Sequence, residues 1–234
     1  MDRFPDPALL PPGESLCAVG GDLEPDTLLE AYARGIFPWP QAGQPLLWHS
    51  PDPRGILDFT DLRVPRSLKQ EARRAGFTFT VDRDFPSVIR ACAAARGPGR
   101  QGTWITSAMV RAYERLRGLG RAHSVECWAG GRLAGGLYGV YVAGVFSGES
   151  MFHRVSGASK ACLIEAVRRL KEKGLGWMDI QMVTPVTGLL GGKEIPRAAF
   201  LARLAAAKKA GLPERLNDWR GRESNPQGAS TERF

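Results

Sequence analysis

Apolar residues recur along this chain first at helical spacing, then in alternation, then at helical spacing again. In the N-terminal part, Leu28, Leu29 and Tyr32 form one stripe that Glu24-Pro25-Asp26 opens and Gly35 closes. Further on, Pro65 to Arg74 predicts a helix stopped by Gly76, Phe77 to Val81 a short strand, and Phe85 to Ala95 another helix. Thr106 is the predicted cap of a helix running to Gly118, with Met109, Ala112, Tyr113 and Leu116 on its buried face. Strands are predicted at Ser124–Trp128, Arg132–Val142 and Gly144–Phe152. Gly130-Gly131 and Ala143-Gly144 supply the turns, so these strands are antiparallel neighbours. A long helix from Ser159 to Lys173 turns Leu163, Ala166, Val167 and Leu170 inward and Arg168, Arg169, Lys171 and Lys173 outward. A strand around Asp179 follows, and Pro196 opens a last helix that ends near Gly211.

The first 58 residues follow another pattern, with prolines and aromatics crowded into loops such as Ile36-Phe37-Pro38-Trp39-Pro40 and Leu47-Trp48-His49-Ser50-Pro51. This composition predicts a small irregular unit that presents surface rather than forming a sheet. The expected organisation is a small N-terminal domain over residues 1–60, a regular domain over 61–212, and a polar, disordered tail over 213–234. Arg96 to Gly102 reads as a mobile loop. Three antiparallel strands, a helix, a strand and a helix make a mixed α/β layer. That is the order of the acetyltransferase-like (GNAT-type) fold.

Composition adds little until the charge is divided. Apolar content of 43% and charged content of 24% place the chain among ordinary globular proteins. No apolar run approaches the roughly 20 residues that span a bilayer, and Met1-Asp2-Arg3-Phe4-Pro5 does not begin a signal peptide, so a cytoplasmic protein is expected. Cys17, Cys92, Cys127 and Cys162 are scattered and the chain has three His, a pattern that predicts free packed thiols and neither a disulfide framework nor a structural metal site. Residues 1–58 hold 3 Lys/Arg against 9 Asp/Glu, whereas residues 59–212 hold 25 against 11. A basic body beside an acidic N-terminal piece points to a polyanionic partner for the body.

The candidate chemistry lies on two predicted strands. Val145-Phe146-Ser147-Gly148-Glu149-Ser150-Met151-Phe152 and Trp177-Met178-Asp179-Ile180-Gln181 each carry an acid or amide among apolar neighbours. Strand alternation puts Glu149 and Met151 on one face, and Asp179 and Gln181 on one face of the other strand. Polar groups on half-buried strands are costly unless they are satisfied or used. A second feature is Arg154-Val155-Ser156-Gly157-Ala158-Ser159, a near match to the loop that holds the pyrophosphate of CoA at a helix N-terminus, with Ser where Gly or Ala closes that motif.

Nine ordered segments carry a more specific likeness: Gly20-Gly21-Asp22-Leu23, Arg34-Gly35-Ile36-Phe37-Pro38-Trp39, Trp48 with Ser50-Pro51-Asp52-Pro53-Arg54, Gly102-Thr103-Trp104-Ile105-Thr106, Ala122-His123-Ser124-Val125-Glu126, Gly135-Gly136-Leu137-Tyr138-Gly139-Val140, Gly148-Glu149-Ser150-Met151-Phe152, Ala158-Ser159-Lys160 and Glu194-Ile195-Pro196-Arg197. Together they resemble the leucyl/phenylalanyl-tRNA–protein transferase family over residues 4–210. The resemblance implies an aminoacyltransferase that moves Leu or Phe from Leu-tRNA or Phe-tRNA to proteins with N-terminal Arg or Lys, marking them for N-end rule degradation. It implies no cofactor, no metal and no membrane partner. It also implies that Gln181 accepts a hydrogen bond from the attacking amine, that Asp179 orients that amide or shares the proton, and that Glu149 holds the amine. Leu137, Phe146, Met151 and Leu163 map onto the family's side-chain pocket, and Trp39 and Trp104 onto the aromatics that contact the terminal adenosine.

The chain departs from the family pattern at several places. Ile180 stands where the family has Cys, at a position that strand alternation turns away from Asp179 and Gln181; His49 replaces a Trp. His153, Gly157, Val186 and Leu189 are further changes, clustered on the expected acceptor side. Arg66, Arg73, Arg74, Arg168, Arg169, Lys171 and Lys173 are candidate phosphate contacts. The rival readings are a CoA-dependent N-acetyltransferase and a catalytically silent tRNA-binding relative.

Overall fold

In a computed structural model, which describes residues 3–41, 43–95, 104–212 and 215–216, the regular part of the chain follows the predicted order closely. The loop expected at 96–102 and most of the tail expected after residue 212 lie outside the described residues. Leu216, within that stretch, is buried against the core.

The acidic N-terminal piece forms a sheet, contrary to the expectation from its composition. Strand β1 (Leu16–Val19), helix α1 (Pro25–Ala33), β2 (Phe37–Pro38) and β3 (Leu47–His49) build a three-stranded antiparallel sheet in the order β1-β3-β2. Its strands are two to four residues long and flanked by Pro and Gly, so no alternating run is long enough to announce them. Trp48 at its centre is fully enclosed, meets Phe4 edge-on, and donates from Nε1 to the Gly20 carbonyl at 2.9 Å.

The next strand, β4 (Arg54–Asp58), belongs to the larger sheet although it precedes residue 60. Then come α2 (Arg66–Arg74), β5 (Thr78–Val81), α3 (Phe85–Ala94), α4 (Ser107–Gly118), β6 (Ala122–Ala129), β7 (Arg132–Val142), β8 (Val145–His153), α5 (Ala158–Glu172) and β9 (Trp177–Gln181). A short α6 (Pro185–Leu189), β10 (Lys193–Ile195) and α7 (Arg197–Lys209) complete the order. Capping is local and legible: Asp84 accepts from the Ser87 N–H, and Thr106 from the Met109 N–H. The seven-stranded sheet runs β10-β4-β9-β8-β7-β6-β5. Its neighbours are antiparallel except β8 and β9, which are parallel because α5 carries the chain back between them.

One face of this sheet packs on α5 and α2, with Leu163, Ala166, Val167 and Leu170 inward as predicted. The other face packs on α3, α4 and the N-terminal unit, joining Phe37, Trp48, Met109, Tyr113 and Tyr138 in one apolar cluster. β7 is therefore covered on both sides, and from Ala134 onward it shows no inside–outside alternation. Arg197, at the start of α7, is buried and donates to the carbonyls of Leu10, Pro11, Glu14 and Ser50. It ties the last helix to the N-terminal unit.

Candidate active site

The parallel strands β8 and β9 share one register pair among the described residues, Ser147 with Asp179. Beyond it they part, and a cavity of about 370 Å³ occupies the opening. The edges of strands that diverge at a crossover are a recurrent place for ligand sites in α/β sheets. Its walls come from Gly148–Met151 on β8, Met178 and Ile180–Met182 on and after β9, Leu137 on β7, Leu163 on α5, and Phe37–Trp39 with Trp104 from the opposite side.

Two bulges shape this opening. The β7–β8 register passes from Tyr138–Ser150 to Gly139–Gly148, so Glu149 is an extra residue on β8. The β4–β9 register passes from Gly55–Gln181 to Ile56–Asp179, so Ile180 is an extra residue on β9. A bulge redirects side chains that simple alternation would place elsewhere. Ile180 consequently faces the cavity, correcting the expectation that it turns away. Asp179 and Gln181 do not share one environment either: Gln181 lines the cavity and Asp179 lies behind it. The glycines opposite the bulges have no room for a side chain. A Cβ on Gly139 would sit 2.3 Å from the Ser147 carbonyl oxygen, and one on Gly55 2.7 Å from the Met182 carbonyl carbon.

Glu149 and Gln181 meet at the polar edge of the cavity, where Gln181 donates from Nε2 to Glu149 Oε1 at 2.7 Å. The amide oxygen of Gln181 takes no part in that bond. Tyr113 donates to Glu149 Oε2 at 3.3 Å, and the Tyr113 and Tyr32 hydroxyls are 2.5 Å apart. Burial pushes the Glu149 carboxyl up to about 8; the Tyr32 hydrogen bond opposes this and the Asp179 charge adds to it. Burial also holds both phenols well above their usual range, with the Glu149 charge acting in the same direction. Asp179 is 1% exposed, and its two oxygens receive the guanidinium fork of Arg54 at 2.8 and 2.7 Å.

Leu137, Met151 and Leu163, which the resemblance assigned to the side-chain pocket, line this cavity. Phe146 does not: it lies fully buried in the core, pressed against the Gly139 face of β7. Trp39 and Trp104 also line the cavity, with ring centroids 6.1 Å apart and planes tilted by 43°. His49, in place of the family's Trp, meets Trp39 edge-on at 6.4 Å. Arg168 and Arg169 are engaged with Glu165, and Arg168 also with Glu172, so these two charges are already matched on their own helix. Sequence reasoning missed Tyr32, Tyr113, Arg54, Phe37 and Met178 as parts of the site. Their spacing was that of core residues or a loop, and only the folded chain brings them within reach of β8 and β9.

The loop that resembled a pyrophosphate cradle does open α5, with Gly157 at φ +79° as its N-cap. It is covered from above by α2. A Cβ on Gly157 would lie 2.7 Å from Glu71 Oε2 and 2.9 Å from Leu68 Cδ1. A carboxylate at that distance disfavours an anion there. Among the described residues there is no group of three His, Cys, Asp or Glu able to hold a metal ion, and no helix is long and apolar enough to cross a membrane.

The family model for the leucyl/phenylalanyl-tRNA protein transferase matches residues 56–205, and the model for its N-terminal domain matches residues 21–52. The chain belongs to this family. A leucyl/phenylalanyl-tRNA–protein transferase from Anaeromyxobacter sp. (strain K) is 54% identical over 204 residues, 87% of each chain. The one from Thiobacillus denitrificans is 46% identical over 225 residues, 93% of this chain and 97% of its own. Among solved structures, L-PGS from Bacillus licheniformis aligns over 70% of this chain and 54% of its own, at 16% identity and a TM-score of 0.41. A GCN5-related glucosamine N-acetyltransferase region of a fungal multi-domain protein aligns over 62% of this chain and 20% of its own, at 13% identity and a TM-score of 0.44.

Proposed function

We propose that this transferase moves leucine or phenylalanine from aminoacyl-tRNA to the α-amino group of proteins with N-terminal Arg or Lys. In this reading it acts in the cytoplasm and marks those proteins for N-end rule degradation. The observation that carries the proposal is the arrangement along one cavity. The aromatic pair Trp39 and Trp104, the apolar side chains of Leu137, Met151, Leu163, Met178 and Ile180, and the hydrogen-bonded Glu149–Gln181 pair all line it. These parts suit the three parts of an aminoacyl-adenosine: a base to stack, an apolar side chain to bury, and an ester to present. Stacking of a base on an aromatic ring contributes about 1–3 kcal/mol. A flexible, Met-lined wall suits both a branched and a planar side chain.

The reaction joins the acceptor nitrogen to the ester carbon and breaks the bond from that carbon to the ribose oxygen, which leaves with a proton. An α-amine titrates near ~8 and is partly neutral at pH 7, so the main requirement is aim. In this reading the amide oxygen of Gln181, which takes no part in the bond to Glu149, accepts a hydrogen bond from the attacking amine. Glu149 holds that amide in register, and its carboxyl, pushed up to about 8, matches the amine in proton affinity. Proton exchange between the two is then close to balanced.

The proposal is tested by incubating the protein with radiolabelled Leu-tRNA, Phe-tRNA or acetyl-CoA and an Arg-started peptide. Label should pass from either aminoacyl-tRNA to the peptide and not from acetyl-CoA. Transfer from acetyl-CoA alone would overturn this reading, and tRNA binding without transfer would make the chain a silent relative.

A further inference from the structure

We propose that Arg54 is a positioning residue for the acceptor amine, acting through the Asp179 carboxylate on the conformation of Gln181. The inference rests on the transfer reaction proposed above. Asp179 has no face on the cavity, and its carboxylate is saturated by donors. Oδ1 accepts from Arg54 Nε at 2.8 Å and from the Gln181 backbone N–H at 2.9 Å. Oδ2 accepts from Arg54 Nη2 at 2.7 Å and from Ser147 Oγ at 3.0 Å. The carboxylate therefore spans β4, β8 and the end of β9. What it holds there is unusual: Gln181 is a non-glycine residue at φ +58°, in the left-handed region, directly after the bulged Ile180. Such a conformation persists only where the surroundings over-determine it.

The hydrogen bond from the Gln181 N–H to Asp179 supplies that restraint, and Arg54 fixes Asp179. With the backbone held, the Gln181 side chain, which lines the cavity, reaches Glu149 through Nε2, and its oxygen takes no part in that bond. Arg54 is itself fixed from three sides. Nη1 donates to the Gly35 carbonyl at 2.9 Å, and the guanidinium lies 4.9 Å from the Phe37 ring centroid and 4.3 Å from that of Phe200. Gly35 and Phe37 belong to the N-terminal unit and Phe200 to α7, so two parts of the chain distant in sequence from β8 and β9 set the amine-binding amide. Lysine cannot take this place, because a point charge lacks the planar fork that meets both carboxylate oxygens.

The test compares the native chain with Arg54→Lys and Ser147→Ala by three measurements. The first is kcat/KM for an Arg-started peptide with Leu-tRNA as donor. The second is the affinity and stoichiometry, by calorimetry, of a nonhydrolysable leucyl-amide analogue of aminoacyl-adenosine. The third is the hydrogen-exchange protection of the Gln181 amide. A misplacement of the reacting groups by about an ångström costs on the order of 100-fold in rate. Arg54→Lys should therefore lower kcat/KM by ~100-fold, and Ser147→Ala by roughly 5-fold, with one analogue site per chain and affinity within about 3-fold of native. Protection of the Gln181 amide should fall in the same order. Analogue binding lost in parallel with transfer would make Arg54 a fold-holding residue only and overturn the proposal, as would unchanged transfer or unchanged Gln181 protection. If Arg54→Lys does not fold, Ser147→Ala decides by the same criteria. If the native chain transfers no leucine, the substrate reading fails, while Gln181 exchange still decides whether Arg54 sets its conformation.

Discussion

Glu149 is buried at the edge of a mostly apolar cavity, and its proton is held up to about pH 8, against an ordinary value of 4.5. Between those values the folded chain carries a proton that the unfolded chain has lost, so this group makes stability fall as pH rises through that window and level off above it. Glu149→Gln removes the titration while keeping an oxygen that accepts from Gln181. The unfolding free energy of this variant, relative to the native chain, should therefore rise by ~3 kcal/mol between pH 5 and pH 8.5, allowing for relaxation around a buried group. Urea unfolding at the two pH values checks it, and an unchanging difference would mean Glu149 is ionised throughout. The acid itself was visible in the sequence as a charge inside an apolar strand. Its partners were not, because Tyr113 and Tyr32 lie 36 and 81 positions from the groups they bond.

At the scale of elements, the two bulges decide which residues of β8 and β9 face the cavity. Each bulge needs a bare backbone opposite it, supplied by Gly139 and Gly55. Gly139→Ala should lower the unfolding free energy by about 3 kcal/mol or more, because its Cβ meets a carbonyl oxygen of the neighbouring strand that cannot move aside. Gly118, on the last turn of α4 with nothing near its Cβ position, is the control. Gly118→Ala should raise stability by ~0.5–1 kcal/mol. Thermal unfolding of both variants checks the pair, and equal effects would show that crowding at the bulge is not what matters. The strands themselves were legible from their alternation and turn glycines, while the bulges were not. A bulge is a one-residue offset between two strands, and neither strand alone records it. For that reason alternation misplaced Ile180.

At the scale of the whole molecule, charge is divided between a basic body and an acidic N-terminal piece, and the chain carries a formal net charge of +8. If tRNA is the donor, its affinity should fall steeply with salt, by on the order of 1,000-fold between 50 and 200 mM, as phosphate contacts exchange with counterions. The leucyl-amide analogue of aminoacyl-adenosine, which has no phosphates, should bind about equally at both. Parallel salt dependence of the two, measured by calorimetry, would place the recognition in the cavity alone. Sequence by itself determined the periodic elements, their order, the division of charge, and the ordered motifs that tie the chain to its family, because each of these is written in neighbouring residues. It also marked Glu149, Asp179 and Gln181, since polar groups in apolar strands stand out locally, while Trp39 and Trp104 were singled out by the resemblance to the family. Only the tertiary structure decided that the N-terminal piece forms a sheet, that Arg54 clamps Asp179, and that Asp179 lies behind the cavity while Gln181 faces it. Those outcomes depend on strand register and on contacts across more than a hundred positions, as between Arg54 and Asp179, which local pattern does not encode.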